Sequence, residues 1–344
     1  MRERASRAGT APSATGAMSR LAFARAKAAG VALEPLLKAS DLTLQQMQDL
    51  RVRIPVRSQI KFLKAVADAV EDDYLGFHLA QQFDLKQVGL LYYVMASSDN
   101  LADALERGAR YSTIVNEGIA SKFTIGSDVS MMLSYVGVSR HLDRHQIEFW
   151  VTAILRVCRG LTGLRLFPSR LRLAHLRKRV SAEFTEFFGD GVEFGASTDE
   201  IAFTKKAGDL PVVSADSHLN SVLVKYCEEA LSQKPSHSGS FRSSVENAIV
   251  PLLPHGRAQA AEVARRLGVS QTTFARRLAS ERLTFTSVLE SLRFDLAKRY
   301  LAEETLSISE IAWLLGYREV SAFSHAFKRW TGNTPRAVRA QGAS

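Results

Sequence analysis

The chain is poor in cysteine, with only Cys158 and Cys227 among 344 residues. Two cysteines cannot build the set of crosslinks that stabilises a small secreted domain, and they do not supply a zinc knuckle. A disulfide framework and a cysteine-based metal module are therefore both excluded. The composition instead favours a reducing, cytoplasmic environment.

Long apolar runs and the usual catalytic motifs are missing as well. No stretch of 18 or more apolar residues is present, so we expect no membrane-spanning helix and no membrane partner. The chain also has no glycine-rich phosphate loop, nucleophile elbow or zinc signature. We therefore expect neither enzymatic activity nor a bound cofactor or metal.

The first residues form a separate compositional segment. Residues 1–19 are rich in arginine, alanine, serine and glycine, and they lack the apolar centre of a signal peptide. This composition predicts a disordered tail. Met18 is an alternative candidate for the native start, which would make the preceding residues an extension.

The net charge of +10 is distributed unevenly along the chain. Residues 236–344 carry 15 Lys and Arg against 9 Asp and Glu, and residues 1–30 carry 6 against 1. Residues 31–235 are nearly neutral, with 24 against 25. A basic C-terminal region beside a neutral middle favours a polyanion-binding module joined to a domain with another task.

A short pattern occurs twice in the last hundred residues, starting at Glu262 and at Glu310. The matching positions are Glu262, Val263, Ala264, Leu267 and Gly268 in the first copy and Glu310, Ile311, Ala312, Leu315 and Gly316 in the second. Each glycine falls where one helix must end in a left-handed turn, and Ser270 can cap the next helix. The repeat predicts two helix-turn-helix units, although one copy alone would also fit an ordinary helical hairpin.

The middle of the chain changes from a helical period to short extended runs. Apolar residues keep a 3.6-residue period to about Leu105, with Asp99 as a candidate cap for the helix over Leu101–Tyr111. Two later runs, Ser121–Ile125 and Val129–Val136, are separated by a Gly-Ser-Asp turn and predict a β-hairpin.

These patterns predict two folded domains. The first is an α+β domain over 20–231, with helices around a small antiparallel sheet, and we expect it to sense a ligand or to dimerise. Residues 232–240 have the composition of a linker. The second is an all-α domain over 241–344 that contains both helix-turn-helix units.

The C-terminal region, about 104 residues, resembles the AraC/XylS family of bacterial transcription regulators. The strongest match is Ile308–Tyr317, followed by Phe323–Pro335. The segments Gly76–Ala80, Leu101–Tyr111 and Phe187–Gly195 resemble the arabinose-binding-type N-terminal domain of regulators akin to those of ornithine use. The resemblance implies promoter DNA and RNA polymerase as partners and activation more often than repression.

The resemblance also places the DNA-contacting residues. Those expected to face the bases in the first unit are Gln271, Thr272, Thr273, Ala275 and Arg276. Their counterparts in the second unit are Glu319, Val320, Ser321, Ser324 and His325. Contacts to phosphates, or a solvated surface, are expected for Arg277, Lys328 and Arg329. The expected core residues are Phe274, Leu278, Trp313, Phe323 and Phe327.

Three positions depart from the family pattern. Ala275 replaces a frequent glutamine and offers only an apolar contact. His325 replaces a frequent arginine, which predicts a weaker base contact that varies with pH. Arg282 replaces the glycine that usually follows the first recognition helix. A left-handed turn at this position should cost about 1 kcal/mol.

Candidate ligand contacts in the first domain are aromatic. Core packing and a small-molecule pocket are both open for Tyr92, Tyr93, Phe123, Tyr135 and Trp150. His141, His145 and Glu148 have the spacing of metal ligands on one helix, but this coincidence is common and we expect no metal. His175, between apolar strand residues, is expected to be a buried, hydrogen-bonded histidine.

The sequence therefore predicts a cytoplasmic, sequence-specific transcription regulator, expected to be a homodimer that responds to a small-molecule effector of unknown identity. In the alternative, the N-terminal domain only dimerises or binds protein partners, without an effector.

Overall fold

The computed structural model describes residues 11–177, 179–233, 240–302 and 306–342. The chain divides into two compact units, an N-terminal unit of residues 1–239 and a C-terminal unit of residues 240–344. The division falls within the predicted linker, most of which lies outside the described residues.

The N-terminal unit is rich in helices, as the apolar periodicity predicts. Its helices are α1 (Ala17–Ala28), α2 (Leu33–Ala39), α3 (Leu44–Gln48), α4 (Val56–Ala69), α5 (Leu75–Gln82), α6 (Leu90–Ala96), α7 (Leu101–Val115), α8 (His145–Thr162), α9 (Ala182–Phe188), α10 (Lys205–Gly208) and α11 (Ser217–Ser232), with short 3₁₀ turns at Leu85–Val88 and Arg140–Leu142. Asn100, rather than the predicted Asp99, caps α7, because its side chain accepts a hydrogen bond from the Asp103 N–H at 2.9 Å.

Seven strands complete the described part of this unit. They are β1 (Ser13–Ala14), β2 (Ile54–Pro55), β3 (Ile119–Ile125), β4 (Asp128–Tyr135), β5 (Arg170–Leu173), β6 (Val192–Phe194) and β7 (Asp199–Thr204). The main sheet has the order β3-β4-β7-β5-β6, and β3 and β4 form the predicted hairpin.

The α+β class is confirmed, but the expectation of a wholly antiparallel sheet is wrong at one edge. Strand β6 runs parallel to β5, with Leu171 opposite Val192. Parallel neighbours need a long crossover, and α9 lies in the connection that brings the chain back in the same direction.

The predicted disordered tail is wrong for residues 11–19. Strand β1 pairs with β2, and the side chains of Ala14 and Met18 are buried in the unit. Composition alone missed this segment because its order comes from pairing with residues 40 positions away. Residues 1–10, the rest of the predicted tail, lie outside the described part of the chain.

The C-terminal unit is built of helices in its described residues. They are α12 (Phe241–Ile249), α13 (Ala260–Arg266), α14 (Gln271–Ser280), α15 (Phe285–Ala302), α16 (Ile308–Leu314), α17 (Val320–Thr331) and α18 (Pro335–Gly342), with a 3₁₀ segment at Val250–His255. This is the predicted all-α arrangement.

Four of the five predicted core residues of this unit are buried, namely Phe274, Leu278, Phe323 and Phe327. Trp313 is not, because 55% of its surface is exposed. Helix α16 buries Ile311, Ala312 and Leu315, and position 313 lies on the opposite side of the helical turn. The sequence prediction for Trp313 was therefore wrong.

Candidate nucleic-acid interface and ligand cavity

The two repeats form two helix-turn-helix units. In the first, α13 ends at a left-handed turn where Gly268 has φ +66°, and α14 follows. The Ser270 hydroxyl accepts a hydrogen bond from the Thr273 N–H at 3.2 Å, as the capping prediction requires. In the second, Gly316 with φ +77° separates α16 from α17.

Two separate constraints, backbone conformation and packing, act on the turn at Gly316. Besides the positive φ, a Cβ at this position would lie 2.5 Å from the Leu253 carbonyl oxygen. A Cβ at Gly268 would meet no atom within 4 Å. Glycine is thus required at the second turn by both backbone conformation and packing, and at the first by conformation alone.

The second helix of each helix-turn-helix unit, α14 in the first and α17 in the second, has its polar residues on the side away from the core. On α14, the exposed residues include Gln271, Thr272, Ala275, Arg276 and Arg277, while Thr273 is half-buried. Around α17, Glu319, Val320, Ser321, His325, Lys328 and Arg329 are exposed and Ser324 is half-buried. The positions expected to contact DNA therefore share the outer face of each helix.

The arginines on these faces differ in their partners. Among the described residues, Arg276 makes no ion pair or hydrogen bond. The Arg277 guanidinium lies 5.5 Å from the centre of the Phe241 ring. The Arg329 guanidinium donates to the Glu290 carboxylate of α15 at 2.7 Å, so a phosphate would have to compete with Glu290. Arg276 is the most available of the three.

Arg282 closes the first recognition helix in the left-handed conformation, with φ +58°. Its N–H donates to the Ala279 carbonyl at 2.9 Å, and the Leu283 N–H donates to the Leu278 carbonyl at 2.9 Å. The chain therefore keeps the turn of the family pattern without its glycine, and the predicted strain has its structural basis.

Two side chains that sequence reasoning missed hold these elements in place. The Glu281 carboxylate, just after α14, accepts hydrogen bonds from the Phe241 N–H at 2.6 Å and the Ser240 hydroxyl at 2.9 Å, and so caps α12. On α15, Arg293 Nε donates to the Leu315 carbonyl at 2.9 Å, at the end of α16. Neither residue belongs to the repeated pattern, so its spacing gave no signal for them.

In the N-terminal unit, a cavity of about 50 Å³ lies between α6, α7, α8 and the sheet. We call it the apolar cavity, and its lining is Leu85, Val88, Leu91, Tyr92, Met95, Gly108, Ser112, Ser121, Met131, Trp150, Ala153, Ile154 and Val157. Tyr92 and Trp150 are the candidate ligand contacts that it contains.

The other three aromatic candidates lie elsewhere. Tyr93 is 46% exposed, and Phe123 packs against the core of the sheet. Tyr135 is buried and donates a hydrogen bond to the Asp143 carboxylate. The structure therefore does not bring the five predicted contacts together.

Comparison with known proteins identifies the same two parts of the chain. Residues 30–212 match the arabinose-binding N-terminal domain of AraC transcription regulators, and residues 263–341 match a helix-turn-helix domain. The first match alone covers more than half of the chain. The chain belongs to the AraC family of transcription regulators. It is a DNA-binding regulator of transcription.

Full-length relatives agree with this family assignment. The HTH-type transcriptional regulator VirS of Mycobacterium tuberculosis is 28% identical over 288 residues, covering 82% of this chain and 83% of the relative. The HTH-type transcriptional regulator VqsM of Pseudomonas aeruginosa is 30% identical over 276 residues, covering 77% and 83%. The Ornithine utilization regulator of the same species is 25% identical over 268 residues, covering 77% and 78%.

A buried charge network occupies the N-terminal unit of this AraC-family chain. It consists of Arg140, Glu148, His175, Arg177 and Asp199. The Glu148 carboxylate accepts from Arg177 Nε at 2.6 Å and lies 2.8 Å from His175 Nε2, and Arg140 pairs with Asp199 at 2.5 Å. The expected buried, hydrogen-bonded His175 is confirmed.

The network fixes the protonation of its members. Burial alone would raise the pKa of Glu148, but Arg177 and His175 outweigh it and hold that pKa below its ordinary value. Burial lowers the pKa of His175 to about 4, so its imidazole is neutral at pH 7. Glu148 therefore remains an anion whose partners lie within the fold.

The spacing of His141, His145 and Glu148 does not place them on one helix. His141 lies in the 3₁₀ turn Arg140–Leu142, whereas His145 begins α8. Within the described ranges, no cluster of three histidine, cysteine, aspartate or glutamate side chains has the arrangement of a metal site. None of the helices described has the length and apolar character needed to cross a membrane.

Proposed function

We propose that this regulator contacts promoter DNA through the outer faces of α14 and α17, and that a small molecule bound by the N-terminal domain controls that binding. The observation that carries the proposal is the separation of roles on each recognition helix. Aromatic and aliphatic residues are buried, whereas polar and basic residues are exposed on the opposite face. A helix of this design can enter the major groove without losing its core.

Specific base contacts come from the residues at the start and middle of each helix. Arg276 can pair with the two acceptor atoms of guanine, and Gln271 and Ser321 can also reach base edges. Lys328 and Arg329 contribute phosphate contacts, which position the protein and make its affinity depend on salt. Helix α15 has 18 residues and joins the two helix-turn-helix units, and its length is roughly 27 Å.

In this proposal, residues 20–231 sense the effector and form the homodimer, residues 232–240 link the domains, and residues 241–344 bind DNA. The protein acts in the cytoplasm as an activator that contacts RNA polymerase, and it catalyses no reaction. The neutral middle of the chain and its basic C-terminal region support this division of tasks.

The test is fluorescence anisotropy of the full-length protein with DNA from upstream of its own gene and with scrambled DNA of equal length. We expect tighter binding to the upstream DNA at both of two salt concentrations, with lower affinity for both DNAs at the higher salt. Equal affinity for the two DNAs, with and without a metabolite panel, would contradict sequence-specific control by an effector.

A second candidate function is an N-terminal domain that dimerises or binds proteins without an effector. One observation favours it. The apolar cavity of about 50 Å³ is well below the roughly 300–1,000 Å³ that small-molecule sites usually have. A ligand-dependent rise in melting temperature would decide against this candidate, because a ligand that binds only the native state must stabilise it.

A further inference from the structure

The lining of the apolar cavity sets limits on what it can bind. None of the described residues that line it is charged, and its inner wall is formed by carbon and sulfur atoms of Leu91, Met95, Met131 and Val157. The hydroxyl of Ser112 is already engaged, because it donates to the Ala109 carbonyl at 3.0 Å. A sugar or a charged amino acid would leave several of its polar groups without hydrogen-bond partners against such a wall, which disfavours binding.

A buried polar atom of one lining residue lacks a partner among the described residues. The indole Nε1–H of Trp150 is buried, and no acceptor lies within hydrogen-bonding distance of it among the described residues. Leaving a buried N–H unpaired is unfavourable, because the group loses its hydrogen bonds to water and gains none in the fold. Trp150 also lines the cavity, so a molecule that enters and enlarges it can bring an acceptor to this N–H.

The size of the cavity depends on two flexible side chains. A Cβ built on Gly108 would lie 2.9 Å from Met95 Cε and 3.0 Å from Met95 Sδ, with Met131 Cε at 3.6 Å. The glycine thus leaves room that the Met95 thioether fills. Methionine side chains adapt readily to a new neighbour, so rotation of Met95 and Met131 can enlarge the cavity without moving the backbone.

We infer that the apolar cavity is the effector site and that its effector is a compact, uncharged, mainly apolar molecule with one carbonyl acceptor for the Trp150 indole. This inference rests on the proposed control of DNA binding by an effector. It assigns a ligand class that differs from the sugar in the name of the matched domain and from ornithine.

The experiment uses full-length protein labelled with ¹³C at the methionine methyl groups. Acetophenone is the probe, ethylbenzene is its match without the carbonyl, and L-arabinose and L-ornithine are the polar comparisons. We expect acetophenone to shift the methyl signals of Met95 and Met131, assigned by Met→Leu substitution, and to bind about 5- to 10-fold more tightly than ethylbenzene. The two polar compounds should leave those signals unchanged.

Two variants test the assigned contacts. Trp150→Phe keeps an aromatic ring but removes the N–H, so the preference for acetophenone over ethylbenzene should fall to about 1-fold. Gly108→Ala should push Met95 into the cavity and weaken both aromatic probes. The control is Gly160→Ala, at an exposed position of α8 where a Cβ meets no atom within 4 Å, and its binding should match that of the unsubstituted protein.

The outcomes separate this inference from the proposed function. If neither aromatic probe shifts Met95 or Met131, or if Trp150→Phe keeps the full preference for acetophenone, the cavity assignment is wrong. If L-arabinose or L-ornithine raises the melting temperature and changes DNA affinity while the aromatic probes do not bind, control by an effector stands but the ligand class proposed here fails.

Discussion

Two sets of arginines, one in each unit of this chain, lie in opposite environments. In the N-terminal unit, the Arg177 side chain is 2% exposed and pairs with a fully buried Glu148. In the C-terminal unit, the arginines of the recognition helices lie at the surface, and Arg276 has no ion-pair partner within the described residues. A buried pair of the first kind destabilises the fold when one partner is removed, whereas exposed charges of the second kind remain available for a polyanion.

The largest effect should come from breaking the buried charge network. Glu148→Gln removes the anion that Arg177 and His175 share, and we expect it to lower the free energy of unfolding of the N-terminal unit by about 3–5 kcal/mol. Hydrogen exchange of the full-length protein, followed by mass spectrometry, locates the loss. Peptides of the C-terminal unit should keep their protection.

The control for this change is Asp68→Asn, which removes an exposed pair with Lys64 on α4. Such surface pairs contribute little to stability, so protection in the N-terminal unit should hardly change. Equal losses of protection in Glu148→Gln and Asp68→Asn would contradict the distinction between buried and exposed ion pairs.

The next effect concerns an exposed arginine. We expect Arg276→Ala to weaken specific DNA binding by about 1–3 kcal/mol and to relax the preference at one base pair, with unchanged unfolding. Anisotropy on a set of single-base variants of the bound site measures both effects. Arg265→Ala is the control, because Arg265 lies on α13 and pairs with Glu262. An Arg276→Ala protein with the same sequence preference would refute the base contact.

A smaller effect follows from backbone conformation. The non-glycine residues with positive φ in the described chain are Asp41 and Glu71 in the N-terminal unit and Arg282 in the C-terminal unit. Arg282→Gly should stabilise the C-terminal unit by about 1 kcal/mol, measured by denaturant unfolding of the full-length protein. Arg282→Ala removes the same charge but keeps the Cβ, so it should give no such gain; a similar gain in both variants would point to charge instead.

The smallest effect is a pH dependence in the N-terminal unit. The His78 imidazole donates a hydrogen bond to the Asp72 carboxylate at 2.8 Å, and this bond raises the pKa of His78 against the opposing influence of burial. The folded protein then binds a proton that the unfolded chain releases, so this contribution is fully present below about pH 6.5 and is lost as the pH rises through the folded-state pKa.

The measurement is the melting temperature across pH 5.5–8.5, compared between the unsubstituted protein and His78→Gln. The difference between the two should shrink as the pH rises, and it should be modest because His78 is partly exposed. A difference that grows with pH would reverse the assigned sign.

Sequence reasoning succeeded where the determinants are local. The hairpin of β3 and β4 and the turns at Gly268 and Gly316 were predicted, because each follows from the residues that form it. It failed where distant segments decide the outcome. The order at Ala14 depends on pairing with Ile54, and the parallel direction of β6 depends on its sheet neighbour.

The candidate site divides in the same way. The outer faces of α14 and α17 could be predicted because helical period and burial determine them together. The exposure of Trp313 could not, because an apolar residue beside a buried stripe satisfies the same pattern. The apolar cavity combines residues from α6, α7, α8, β3 and β4, which are far apart in the sequence. Sequence reasoning therefore predicted only two of its lining residues, Tyr92 and Trp150, as ligand contacts.

The unequal surroundings of Gly268 and Gly316 bear on how this protein can evolve. Gly268 has open space around it, so a point mutation to asparagine, which tolerates a positive φ, leaves a folded descendant from which selection can proceed. Gly316 faces the Leu253 carbonyl, so any side chain there collides with backbone whatever its conformational preference. We therefore expect the turn of the first helix-turn-helix unit to accept substitutions more readily during evolution towards new operators. The turn of the second unit should keep its glycine.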